Sequence, residues 1–307
     1  MGAADRPFNS LFAPPAVETI RRADGCILLR SPQELADHGR CLGDWLEYWA
    51  DAAPDRPFLL ERAPDGNWEG VTYRETVRQV YAIATWLMEN GCSAERPTAI
   101  LGDNGVRHAL LALASMHVGI PVASLSSAYS LVSTDFGKLK SIVAQITPGV
   151  LYVPDTARYG AALAALRGLH DARIVADQNQ IAATDLTQWD DLVRITDREA
   201  IQRAFAAVGP DTVAKLLFTS GSTGIPKAVV TTQRMLLVNQ QQMRQVWPFL
   251  EDHVPVLVDW LPWSHTFGGN HNFNLVLRSG GTLYIDAGRP VAQKFDQTLA
   301  NLREVAP

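Results

Sequence analysis

Apolar residues recur along this chain in two alternating rhythms, every third or fourth position and then in short unbroken runs. Over Leu42–Ala52 the apolar Leu42, Trp45, Leu46 and Trp49 share one helical face, which leaves Asp44 and Glu47 on the wet side. That spacing predicts an amphipathic helix whose tryptophans face a core. Residues 69–73 predict a short strand. Thr72, with Glu75 three positions on, is a capping box for a helix that runs to Met88 and stops at Asn90-Gly91. Its buried stripe is Val77, Val80, Tyr81, Ala84, Leu87 and Met88. A strand over 98–101, a turn Gly102-Asp103-Asn104-Gly105, a helix over 106–118 and a strand over 119–124 follow. Strand, helix, strand is a βαβ unit, which demands parallel pairing. The alternation continues with a helix over 135–145, a strand over 150–153, a helix over 160–169 and a strand over 173–176.

Residues 177–212 are polar and rich in Asp, and they carry the connector Val208-Gly209-Pro210-Asp211. Beyond it the pattern predicts strands over 213–218 and 228–231, a helix over 233–247 capped by Thr232, a strand over Val256–Asp259, a helix over 272–278 ending at Gly280-Gly281, and a last strand over Thr282–Ile285. The expected architecture is therefore α/β. It has an irregular arm at 1–40, a first subdomain of parallel βαβ units at 41–210, and a partial second α/β subdomain at 211–307.

At 307 residues, 47% hydrophobic and 19% charged, the chain has the composition of an ordinary globular protein. A net charge of −5 argues against a nucleic-acid surface, so any anion site has to be made locally. The three cysteines, Cys26, Cys41 and Cys92, are widely spaced and follow no metal-ligand pattern. Free thiols in a reducing cytoplasm are the expectation, with no membrane segment and no signal peptide at the N-terminus.

The run Thr219-Ser220-Gly221-Ser222-Thr223-Gly224-Ile225-Pro226-Lys227, placed directly after an apolar strand, has the makings of a phosphate cradle. Gly221 and Gly224 tolerate positive φ and let backbone N–H groups converge on an anion; Thr219, Ser220, Ser222 and Thr223 add hydroxyl donors, and Lys227 adds a mobile charge. Ile225 and Pro226 separate Gly224 from Lys227, and Ala228 follows, so this is not a Walker loop. Downstream, His265 lies in a second loop after a strand, among aromatics and beside Gly268-Gly269. Ligands gather in such loops of open α/β sheets. His265 and His271 have no carboxylate or cysteine cluster to complete a metal site, so no metal is expected there.

Thr-Ser-Gly-Ser-Thr-Gly-x-Pro-Lys resembles the signature loop of the adenylate-forming (AMP-binding) enzymes, and Leu261-Pro262-Trp263-Ser264-His265 resembles their next motif. Ala228 stands where that family usually has glycine. The string from Asp259 to His271, followed by Gly280-Gly281-Thr282-Leu283-Tyr284-Ile285-Asp286, further resembles the feruloyl-CoA synthetases. The resemblance implies the N-terminal part of the adenylate-forming fold. It also implies ATP, Mg2+ and coenzyme A as cofactor and co-substrates, and a hydroxycinnamic acid as the acid activated. Lys227 and the loop would hold phosphate, His265 would contact the activated carboxylate, and Phe267, Gly268 and Asn270 would lie near the aryl group.

The chemistry suits those residue types. A carboxylate is a poor electrophile, so it is joined to the α-phosphate of ATP with loss of pyrophosphate, and a thiol then displaces AMP. Charge grows on the pyrophosphate, which calls for donors rather than bases. The resemblance stops at Pro307, before the family's magnesium-linked acid, its ribose-holding aspartate and its mobile C-terminal lid with the catalytic lysine. The sequence thus reads as an N-terminal fragment, incomplete for catalysis alone, with an exposed sheet edge that favours self-association. A fatty acyl-CoA ligase with the same loop and histidine, and a non-catalytic nucleotide- or acyl-binding module, are the alternatives. A phosphotransferase is disfavoured for want of a Walker lysine.

Overall fold

The computed structural model describes residues 11–178, 186–219 and 224–307. In chain order the elements are β1 (Glu18–Arg21), β2 (Ile27–Arg30), α1 (Leu42–Ala52), β3 (Pro57–Arg62), β4 (Trp68–Thr72), α2 (Tyr73–Glu89), β5 (Thr98–Ile100), α3 (Val106–His117), β6 (Val122–Ser124), α4 (Ala128–Leu131), α5 (Gly137–Ile146), β7 (Val150–Asp155) and α6 (Thr156–Leu166). They continue with β8 (Arg173–Gln178), β9 (Leu186–Gln188), α7 (Trp189–Leu192), α8 (Arg198–Ala207), β10 (Val213–Thr219), β11 (Lys227–Thr232), α9 (Gln233–Val246), α10 (Phe249–Asp252), β12 (Val256–Asp259), a π-helical turn at Phe267–Asn272, α11 (Phe273–Ser279), β13 (Thr282–Ile285) and α12 (Phe295–Val305). Among the described residues no helix is long and apolar enough to cross a membrane.

Two sheets carry the body. Seven strands run in the order β11-β10-β6-β5-β7-β8-β9 and four in the order β12-β13-β3-β4. In the larger sheet every pair is parallel except β10–β11, as the βαβ reading requires. Alternate residues of its strands feed opposite faces: Ile100 and Tyr152 join a core with α1, α2 and α3, whereas Leu101 and Val153 join one with α5 and α6. Both sheets draw strands from both sides of residue 210. Thus β10 lies beside β6, and the early hairpin β3–β4 completes the sheet of β12 and β13.

The capping box forms as read from the sequence. Thr72 Oγ1 accepts from the Glu75 amide and Glu75 accepts from the Thr72 amide, at the start of a helix that ends beside Gly91 at φ +85°. Other elements correct the sequence reading. The arm is not wholly irregular, because β1 and β2 pair as a hairpin turning at Gly25, and Gln245 of α9 holds residues 34–36 through Glu34 and Ala36. The polar stretch 177–212 contains β9, α7 and α8. Asp197 caps α8 by accepting from the Ala200 amide, and its single buried side chain, Ile201, anchors it. The helix expected from 160 begins four residues earlier because Asp155 caps it.

Candidate active site

The signature loop hangs between two antiparallel strands. Thr219 and Lys227 are the last pair of the β10–β11 ladder, so their side chains leave the same face of the sheet, and both are exposed at the loop's mouth. Ser220, Gly221, Ser222 and Thr223 lie outside the described residues. Gly224 has φ +80° with open space where a Cβ would sit, so glycine is required there by conformation rather than by crowding. Pro226 is buried, and its carbonyl accepts from Gln145 of α5 at 3.3 Å, which fixes the returning limb of the hairpin.

The second segment is built differently. After β12 the chain folds back so that the π-helical turn packs on the backbone of 261–263. A Cβ on Gly268 would stand 2.5 Å from the Leu261 carbonyl oxygen, and one on Gly269 would stand 2.4 Å from that of Trp263. The glycine pair is therefore demanded by close approach. The His265 amide donates to the Pro262 carbonyl at 3.0 Å, and the Gly269 amide to the His265 carbonyl at 2.9 Å. Asn104, at the end of β5, clamps the segment from outside: its Nδ2 donates to the Leu261 carbonyl at 2.8 Å and its Oδ1 accepts from the Trp263 amide at 2.9 Å. Asp259 accepts from the Leu261 amide and from Asn272, and burial pushes its carboxyl upward from the usual range.

On this frame the sequence-predicted residues divide. His265 and Phe267 are exposed, and the Phe267 ring stacks on His271 at 4.6 Å. Gly268 and Asn270 are buried. Asn270 turns inward, where its carbonyl oxygen accepts from Gln240 at 3.1 Å and its side-chain oxygen has no partner among the described residues. The structure therefore brings Thr219 and Lys227 together and holds His265 on a rigid turn, while Phe267 and Asn270 face opposite ways.

The bridge between the two segments was not anticipated. Lys215, on the same face of β10 as Thr219, is buried and donates from Nζ to the Gly269 carbonyl at 2.7 Å. Burial lowers its pKa to about 7. The signal was present as one charge inside the apolar strand Val213-Ala214-Lys215-Leu216-Leu217-Phe218. A cleft of about 390 Å³ also opens between the two sheets, at the ends of β5 and β13. Arg158 and Arg289 flank Asp103 there at 3.4 and 3.7 Å, and Lys294 lines the same cleft.

The pattern of the AMP-binding enzyme family matches residues 46–307. This chain belongs to that family. It is 27% identical over 213 residues to the long-chain-fatty-acid–CoA ligase FadD15 of Mycobacterium bovis, covering 67% of this chain and 34% of that ligase. To the carboxylic acid reductase of Mycobacterium tuberculosis it is 24% identical over 319 residues, covering 91% of this chain and 26% of the reductase. The chain thus spans less than half the length of either relative. Its fold superposes on the luciferase-like enzyme of the nonluminescent Zophobas morio mealworm with a TM-score of 0.65 at 16% identity, over 86% of this chain and 58% of that one. The architecture is the N-terminal part of the adenylate-forming fold.

Proposed function

We propose that this chain carries the phosphate- and acid-binding part of an ATP-dependent acid–CoA ligase, with a hydroxycinnamic acid such as ferulate as the acid. The observation that carries the reading is the pairing of Thr219 with Lys227 at the mouth of the loop, joined through Lys215 to the turn that bears His265. In the first half-reaction a carboxylate oxygen attacks the α-phosphorus of ATP, the bond to the bridging oxygen breaks, and pyrophosphate leaves with the electron pair. Lys227 and the hydroxyls of the loop bind the departing charge; each charge-assisted hydrogen bond contributes about 1.5–3 kcal/mol. In the second half-reaction a thiol sulfur attacks the acyl carbon and AMP departs. His265 would orient that carboxyl group. Mg2+ would enter bound to the phosphates of ATP.

A fatty acid is the second reading, and the similarity to FadD15 favours it. Calorimetric titration with ATP, ferulate and octanoate tests the assignment. Saturable binding of ATP with ferulate bound more tightly than octanoate is expected. The reverse order establishes the fatty acyl reading, and absence of ATP binding overturns both. Acid-dependent exchange of pyrophosphate into ATP by this chain alone would overturn the expectation that it is incomplete for catalysis, and would exclude a non-catalytic binding module.

A further inference from the structure

The segment that bears His265 has two limbs, residues 261–263 before it and Gly268-Gly269 after it, and each is held by a different part of the seven-stranded sheet. Lys215 of β10 fixes the second by donating to the Gly269 carbonyl. Asn104, between β5 and α3, fixes the first through the Leu261 carbonyl and the Trp263 amide, 157 and 159 residues away in sequence. His265 itself is exposed, and its backbone ties it to both limbs: its amide donates to the Pro262 carbonyl at 3.0 Å and its carbonyl accepts from the Gly269 amide at 2.9 Å. A shift of the 261–263 limb therefore carries the imidazole with it.

Turn chemistry does not account for an asparagine at 104. Asparagine is favoured in turns because it tolerates a left-handed φ or bonds to its own backbone two residues on. Asn104 does neither: its φ is not positive, and both polar atoms of its side chain are spent on the distant limb. The side-chain amide acts there as a peptide group would, its donor and acceptor set side by side against the carbonyl of one residue and the amide of the next but one. Aspartate would put a second oxygen against the Leu261 carbonyl.

The support of Asn104 is fixed on both sides. The Leu101 amide donates to the Tyr152 carbonyl at 2.9 Å, the Val106 amide to Glu61 at 3.1 Å, and His108 Nδ1 to the Asp103 carbonyl at 3.1 Å. The phosphate loop rests on other contacts, the β10–β11 ladder and the bond from Gln145 to the Pro226 carbonyl. The two halves of the candidate site can therefore be loosened one at a time.

We propose that Asn104 is a positioning residue for acid activation: its side-chain amide sets the height of the 261–263 limb and thereby the place of His265. The inference rests on the acid-activation reading given above.

Two variants test it, Asn104→Ala and the nearly isosteric Asn104→Asp, which keeps the acceptor for the Trp263 amide and stands in if the first does not fold. Nitrogen-15 relaxation of the His265 amide reads the geometry, and calorimetric titration with ATP, ferulate and octanoate reads binding. The order parameter is expected to fall from about 0.85 to below about 0.6. The acid that the unmodified chain binds more tightly should weaken by about 10-fold to 100-fold, the value of one charge-assisted contact, with ATP affinity unchanged. Equal weakening of acid and ATP would show that Asn104 merely props the fold. An unchanged order parameter would show that the Trp263 ring, packed on His108 and Phe273 at 5.1 Å each, holds the limb without it. A looser His265 with unchanged acid affinity would separate the turn from the acid. Each of these overturns the inference while leaving acid activation standing. Failure of the unmodified chain to bind either acid overturns the acid reading itself, and the inference falls with it.

Discussion

Lys215 and Gly269, 54 residues apart in sequence, are joined by a 2.7 Å hydrogen bond from a buried ammonium to a main-chain carbonyl. The strand that ends in the loop is therefore tied directly to the turn that follows His265. Because the lysine is buried, this link is also pH-sensitive. Its pKa in the fold is about 7, against 10.5 for a free side chain, so between those values the unfolded chain binds more protons and stability rises with pH. The contribution is complete above the unfolded value and is lost as pH falls towards 7. His108, lowered to about 4, acts in the same sense from pH 6.5 down to 4. Urea midpoints are expected to rise between pH 7 and 9.5, with a slope of up to ~1.4 kcal/mol per pH unit from the lysine. Lys215→Met should flatten that rise and raise stability at pH 7. Identical pH profiles for the two proteins would refute the burial of the charge.

Lys227 is exposed at the loop's mouth, so removing it touches binding and not folding. Lys227→Ala should weaken ATP by about 10-fold to 100-fold, the value of one charge-assisted contact. The melting temperature should stay where it is. An unchanged ATP affinity in calorimetry would remove this lysine from the phosphate site.

The glycines of the two segments answer to different constraints and should fail differently. Gly224→Ala meets no neighbour but must hold a left-handed φ, at a cost of about 1 kcal/mol. Gly269→Ala drives a methyl group onto the Trp263 carbonyl and should cost several-fold more, about 2–4 kcal/mol, with loss of acid binding. Chemical denaturation of both variants decides the point, and equal costs would contradict the packing of the turn.

Thiol chemistry offers a check on the core. Cys26 is exposed, whereas Cys41 and Cys92 are buried, with thiols pushed up to about 11 chiefly by desolvation. An aromatic disulfide reagent should titrate one thiol in the native protein and all three in denaturant. Rapid reaction of two or three in the native state would mean that α1 or the segment around Cys92 packs loosely.

Much of the fold was legible because it was written locally. The capping box of α2 and the apolar face of α1 lie within single turns, and the strand–helix alternation needs no knowledge of distant partners. Helices α8 and α12 were missed because each carries one fully buried side chain, Ile201 and Asn301, too few to set a hydrophobic period. Helix α11 begins within one residue of its expected start, but the π-helical turn before it was hidden because Gly268-Gly269 read as a loop. At the candidate site the hydroxyl- and glycine-rich string and His265 were visible as motifs. The partnership of Lys215 with Gly269, and the sharing of each sheet by strands from both halves of the chain, are long-range pairings that no local pattern encodes.

The hairpin β3–β4 has a consequence for how the molecule is made. Leu59 and Leu60 pair with Leu283 and Tyr284, and Thr282 hydrogen-bonds to the Pro57 carbonyl across 225 residues of sequence. On a ribosome the hairpin emerges early and waits, with the Leu59–Leu60 edge of β3 unpaired, until nearly the whole of this stretch has been translated. Synthesis stalled before residue 282 leaves that apolar edge without its mate. Nascent chains of such lengths should be clients of holding chaperones, released only as β13 clears the exit tunnel.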